Sequence, residues 1–108
     1  MTYSAKERQI LDQVTAALHG HYGERLSRVV LFGSRARRDH REDSDYDILV
    51  VLKGNFDVRS ERQALTNLTL PIDLDHDAVV YCCAMDSERF AEEDSILLRN
   101  IRAEGVSL

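Results

Sequence analysis

The 108-residue chain has no long apolar run. Stretches such as Val29–Phe32 and Ile48–Leu52 are far too short to span a bilayer. The first residues, Met1 to Arg8, contain no apolar signal region, so the expected location is cytoplasmic. There is one proline, Pro71, and no linker, repeat or low-complexity tract. The two cysteines, Cys82 and Cys83, are neighbours, and adjacent residues rarely meet disulfide geometry. With no second cysteine pair, both read as reduced structural thiols on a strand. The four histidines show no metal-binding HExxH spacing and fall in polar stretches. A basic surplus is also missing. Net charge is −5, which makes the chain a poor generic binder of nucleic-acid backbone. Nor is there an aromatic platform for stacking bases.

Apolar residues are 44% and charged residues 31% of the chain, a globular composition. The length suits a single domain, residues 1–108. Ser4-Ala-Lys-Glu7 fits a capping box. Ile10, Leu11, Val14, Ala17 and Leu18 then recur at helical spacing, predicting a helix over about 5–19. Arg28–Phe32 and Tyr46–Leu52 read as strands, separated by a short helical turn near Arg35–Arg41. A helix follows from Val58 to about Leu70, then a third strand over Ala78–Ala84. A last helix, capped by Asp86 or Ser87, runs to about Ala103 with Gly105 as its stop. The expected architecture is a small α/β sheet of about three or more strands, covered by helices on one face.

Charge is unevenly placed. Arg35, Arg37, Arg38 and Arg41 cluster, while Asp73, Asp75 and Asp77 form a later acidic patch. Between the first two strands lies Gly33-Ser34, ten residues, then Asp45-Tyr46-Asp47. A glycine where a strand gives way to a helical turn lets a phosphate approach backbone N–H groups. The Ser34 hydroxyl can donate to a phosphate oxygen. Any of Arg35, Arg37 and Arg38 can add charge-assisted bonds, and we place Arg35 and Arg38 in the expected nucleotide-binding set. Asp45 and Asp47 alternate along a strand, so both carboxylates face one side, about 7 Å apart at Cα. Such a pair suits one or two Mg²⁺ ions completed by substrate phosphates. At this composition the spacing arises by chance about three times per thousand chains. The placement after one strand and at the start of another sharpens it.

Leu31-Phe-Gly-Ser-Arg-Ala and Ser44-Asp-Tyr-Asp-Ile-Leu-Val-Val resemble the nucleotidyltransferase signature of the DNA polymerase beta superfamily. The small size resembles its minimal members, and Leu97–Val106 resembles the end of such domains. The resemblance implies a mixed sheet with flanking helices. It also implies Mg²⁺-dependent transfer of a nucleoside monophosphate from ATP or another NTP. Many minimal members are antitoxins paired with a helical HEPN toxin, to which they can attach AMP. On this resemblance Gly33 and Ser34 hold the β- and γ-phosphates, and Asp45 and Asp47 hold the metals. A third carboxylate normally comes from the third strand. Here Ala78–Ala84 carries no acid; Asp77, just before it, is the nearest candidate, followed by Asp75.

Three readings follow. The first is an AMP-transferring antitoxin acting on a protein partner. The second is a catalytically weak nucleotide-binding module that neutralises its partner by contact, through apolar residues such as Phe90, Leu97, Leu98 and Ile101. The third is a transferase for a small cationic acceptor resembling an aminoglycoside, attracted by Asp73–Asp77. A homo- or hetero-oligomer fits each of them.

Overall fold

The computed structural model describes residues 3–108. Helix α1 (Ala5–Tyr22) leads through a 3₁₀ turn into strand β1 (Leu26–Phe32). A one-turn helix α2 (Ser34–Arg37) and a loop precede β2 (Tyr46–Leu52). Then come α3 (Val58–His76), β3 (Val80–Asp86), α4 (Ser87–Glu92), α5 (Ile96–Glu104) and a two-residue β4 (Val106–Ser107). The sheet order is β3-β2-β1-β4. β2 runs antiparallel to β1 and parallel to β3, so the sheet is mixed, as the sequence resemblance implied.

Strand alternation divides the core into two layers. Val29, Leu31, Ile48, Val50 and Leu52 face α1 and α3, where Ile10, Val14, Leu18 and Leu65 are buried. Val30, Leu49, Val51 and Met85 face the other way, against Leu98 and Ile101 of α5. Both faces of the sheet are therefore covered, rather than the one expected. The alternation on β2 decides this: a strand reading Ile-Leu-Val-Val-Leu without a polar break is apolar on both sides. Among the described residues no helix is long and apolar enough to cross a membrane.

Several boundaries differ from the sequence expectation; β1 starts at Leu26 rather than Arg28, the short helix covers Ser34–Arg37 rather than Arg35–Arg41, and β3 runs Val80–Asp86 rather than Ala78–Ala84. α1 continues through Gly20 to Tyr22 and stops at Gly23, which has φ 56°. α3 runs past Leu70 to His76 with Pro71 inside it, since burial of Thr69 and Ile72 against the first layer holds the last turns. The single terminal helix is instead two. Ser95 breaks the path by capping α5, its hydroxyl accepting from Leu98 N at 3.2 Å. The capping box at Ser4 and Glu7 forms as the sequence suggests, at 2.9 and 3.1 Å.

The break turns α5 so that Leu98 is fully buried while Leu97 is 55% exposed. Leu98→Ala should cost about 2–5 kcal/mol in urea unfolding. Leu97→Ala should stay within about 0.5 kcal/mol. Equal losses would mean α5 does not pack this way.

Candidate active site

The site forms where β1 ends beside the start of β2. Phe32 and Asp47 are paired across the antiparallel ladder. The turn that follows Phe32 is thereby brought against the carboxylate. Gly33 makes the turn with φ 75° and ψ −158°. A Cβ there would overlap the Asp47 carboxylate. Glycine is required twice over, by backbone conformation and by space. Ala36 N and Arg37 N both donate to Gly33 O at 3.1 Å, closing the turn. The N–H groups ahead of those bonds are the ones a helix start leaves for a ligand.

Asp47 is half-buried and Asp45 exposed, both on the α5 side of the sheet. Burial raises the Asp47 carboxyl, the neighbouring Asp45 charge raises it further, and Arg37 pulls it partly back. Two carboxylates that repel each other beside a glycine-floored turn are a fitting donor set for a hard cation that also binds phosphates. Among the described residues no group of three His, Cys, Asp or Glu side chains converges as a metal site.

The third acid is accounted for by α3. Because that helix extends to His76, Asp73 and Asp75 are helical rather than in a loop before β3. Asp73 is occupied, its Oδ1 accepting from Val80 N at 2.9 Å. Asp77 is the exposed left-handed C-cap, with φ 50°. On β3 the residue paired with Asp47 is Tyr81, which is 56% exposed. Two residues on, half-buried Cys83 lies on the same face. Burial and the Asp47 charge both push its thiol up.

The arginines divide by helix face. Arg35 and Arg38, three apart, turn inward onto Glu7 of α1. Arg35 Nη1 donates to Glu7 Oε2 at 3.0 Å. Arg38 grips both oxygens of Glu7, at 2.9 and 3.0 Å. His40 Nε2 lies 3.3 Å from the same carboxylate. Arg35 also donates to the Ser44 and Glu42 carbonyls and stacks 3.9 Å above the Tyr46 ring. Its guanidinium is thus fully engaged within the fold, and placing it among the phosphate ligands does not fit this geometry. Arg38 is tied up in the same way. Arg37, on the other face, is the arginine beside Asp47. It lines a groove of about 360 Å³ with Phe32, Gly33, Leu97, Asn100 and Glu104. Its contacts to Asp39 and Glu104, at 3.1 and 3.5 Å, are solvent-exposed, so an anion in the groove can compete with them. The signal in the sequence was the i, i+3 spacing of Arg35 and Arg38 together with an acid in the first turn of α1.

Burial alone would raise the Glu7 carboxyl, but Arg38, the Ser4 N–H and Arg35 outweigh it and bring it down to about 2 from 4.5. Its stabilisation is therefore complete above about pH 4.5 and is lost as pH falls toward 2. Glu7→Gln should cost about 3–5 kcal/mol at pH 7, because it strands the buried Arg35 charge. The gap to wild type should narrow below pH 4.5, read by urea unfolding across pH. A gap independent of pH would exclude this charge network as the cause.

A family model described as "Polymerase beta, Nucleotidyltransferase" matches residues 13–107. A Methanocaldococcus jannaschii protein named "Putative protein adenylyltransferase MJ0604" is 41% identical over 51 residues, covering 47% of this chain and 51% of its own. A second protein of that organism with the same kind of name is 35% identical over 57 residues, covering 53% and 57%. The chain thus spans about half the length of the curated relatives it matches. Among solved structures, a toxin–antitoxin with AMP-PNP superposes with a TM-score of 0.60 at 19% identity, covering 87% of this chain and 68% of that one. A tri-AMPylated Shewanella oneidensis HEPN toxin in complex with its MNT antitoxin gives 0.54 at 19%, covering 94% and 67%. At that identity the likeness is one of fold.

Proposed function

The chain belongs to the polymerase beta nucleotidyltransferase family, and from that premise we propose that it transfers AMP from ATP to a hydroxyl of a protein partner. The observation that carries the reading is Gly33 seated against Asp47, with Asp45 on the same face. Gly33 and Ser34 receive the β- and γ-phosphates, and Arg37 adds charge from the groove wall. Asp45 and Asp47 would hold magnesium, which when bound draws charge from the phosphates and eases departure of pyrophosphate. Asp45 and Asp47 themselves fix where the α-phosphorus lies relative to the turn. Exclusion of water falls to the α5 side, where Leu97 and Ile101 border the groove. Arg35 and Arg38 act at one remove, holding the loop ahead of Asp45 to α1 through Glu7. We leave Asp77 outside the ligand set, since it caps α3 at an exposed position.

The names of the M. jannaschii relatives support protein as the acceptor class. The antitoxin folds it superposes on suggest a HEPN-type toxin as partner and a cytoplasmic antitoxin role. One observation favours a second reading. Tyr81 rather than an acid faces Asp47 from β3, which suits a slow or inactive module that works by contact.

Purified chain, ATP, Mg²⁺ and a co-expressed HEPN-type partner should give AMP-sized mass gains on the partner. Asp47→Asn should lower the rate about 100-fold or more. Gly33→Ala should do the same through the overlap with Asp47. Neutralisation that survives the double variant Asp45→Asn with Asp47→Asn would favour the contact module instead.

A further inference from the structure

We propose that Tyr81 is itself an acceptor, so that the chain nucleotidylates its own phenol; this rests on the transferase reading above. Phe32, Asp47 and Tyr81 form one row across β1, β2 and β3. Paired residues share a face, and neighbouring strands lie about 4.8 Å apart. The Gly33 turn therefore stands on one flank of Asp47 and Tyr81 on the other.

Displacement at phosphorus is in line: the attacking and leaving oxygens lie on opposite sides. If pyrophosphate leaves over the Gly33-Ser34 turn, the attacking hydroxyl arrives from the β3 flank. Tyr81 projects there and is 56% exposed. The other nearby nucleophiles are poorly placed. Ser34 is on the leaving-group side. Tyr46 points to the opposite face and is 1% exposed. Cys83 is on the correct flank, but it is two residues further along the strand and half-buried, whereas Tyr81 stands directly beside Asp47 and is open.

In the step, a bond forms between Tyr81 Oη and the α-phosphorus. The bond from that phosphorus to the bridging oxygen breaks, and pyrophosphate leaves with the electron pair. The phenolic proton passes to solvent water, to which the ring is open. The product is a tyrosyl phosphodiester of the nucleoside. It occupies the flank a partner's hydroxyl needs, so self-modification and partner modification exclude each other.

The test incubates the full chain with Mg²⁺ and each of the four NTPs, with and without the HEPN-type partner, and reads intact masses and peptide maps. The expected result is one NMP unit on Tyr81, formed at a rate independent of protein concentration, and lost in Tyr81→Phe. Thermal shift by a non-transferable ATP analogue should survive Tyr81→Phe and disappear in Gly33→Ala. Loss of the shift in Tyr81→Phe would make Tyr81 a nucleotide contact and overturn the inference. So would a partner labelled by a chain that stays unmodified or carries the adduct elsewhere, with the transferase reading intact. A rate rising with protein concentration would exclude attack within one chain. No transfer to chain or partner would remove both readings together.

Discussion

Everything at the site depends on how closely the end of β1 approaches Asp47. An antiparallel pair puts the last residue of one strand opposite the first of the next, so the turn leaving β1 must pass the side chain entering β2. Phe32 opposite Asp47 sets that register, and Gly33 is the residue that must clear the carboxylate. The clearance brings together two groups that act on the same ligand in opposite ways. The turn offers N–H groups to an anion, and Asp47 rejects one. On the proposed function a cation between them would reconcile the two, so that a phosphate turn and a carboxylate pair would be useful together and costly apart.

The register alone would not keep the loop from 38 to 45 in place. It has no regular structure, and Asp45 at its end is exposed. Arg35 holds it from within, donating to the Ser44 and Glu42 carbonyls while its own charge is met by Glu7. Glu7 serves twice, since it also closes the capping box of α1. The start of the first helix, the helical turn after Gly33 and the approach to Asp45 are thereby one electrostatic unit. Buried at 4% exposure, Glu7 is tolerable there only because Arg35 and Arg38 face it.

Much of this was legible in the sequence, and the reasons for the rest are specific. Gly33, Ser34, Asp45 and Asp47 could be read because the strand pattern places them: turn after one strand, alternating acids at the next. Local capping was legible too, as Ser4 and Glu7 depend only on their own spacing. The choice of arginine was not. A one-turn helix has no apolar stripe to reveal its phase, and the partner that selects Arg35 and Arg38 lies on α1, 28 and 31 residues away. The acids before β3 misled for a similar reason. Pro71 reads as a stop, yet packing of Ile72 carries α3 to His76 and takes Asp73 and Asp75 with it. That Tyr81 faces Asp47 follows only from a parallel register, which no local pattern encodes.

The absence of an acid on the Asp47 face of β3, where Tyr81, Cys83 and Met85 stand while Asp86 turns to the other face, changes how the proposed site would fill. Three carboxylates can hold a divalent cation before substrate arrives. Two, one of them exposed and the other raised by burial and by its neighbour, hold it poorly alone. Magnesium keeps much of its water and accepts one or two carboxylates when phosphates supply the remainder. On the proposed function, then, Asp45 and Asp47 would hold the cation together with the nucleotide's phosphates rather than ahead of them. The acceptor side of such a site is left without a carboxylate of its own. A phenol standing there meets water on one side and the reaction on the other, with no carboxylate on its face of β3 to take its proton.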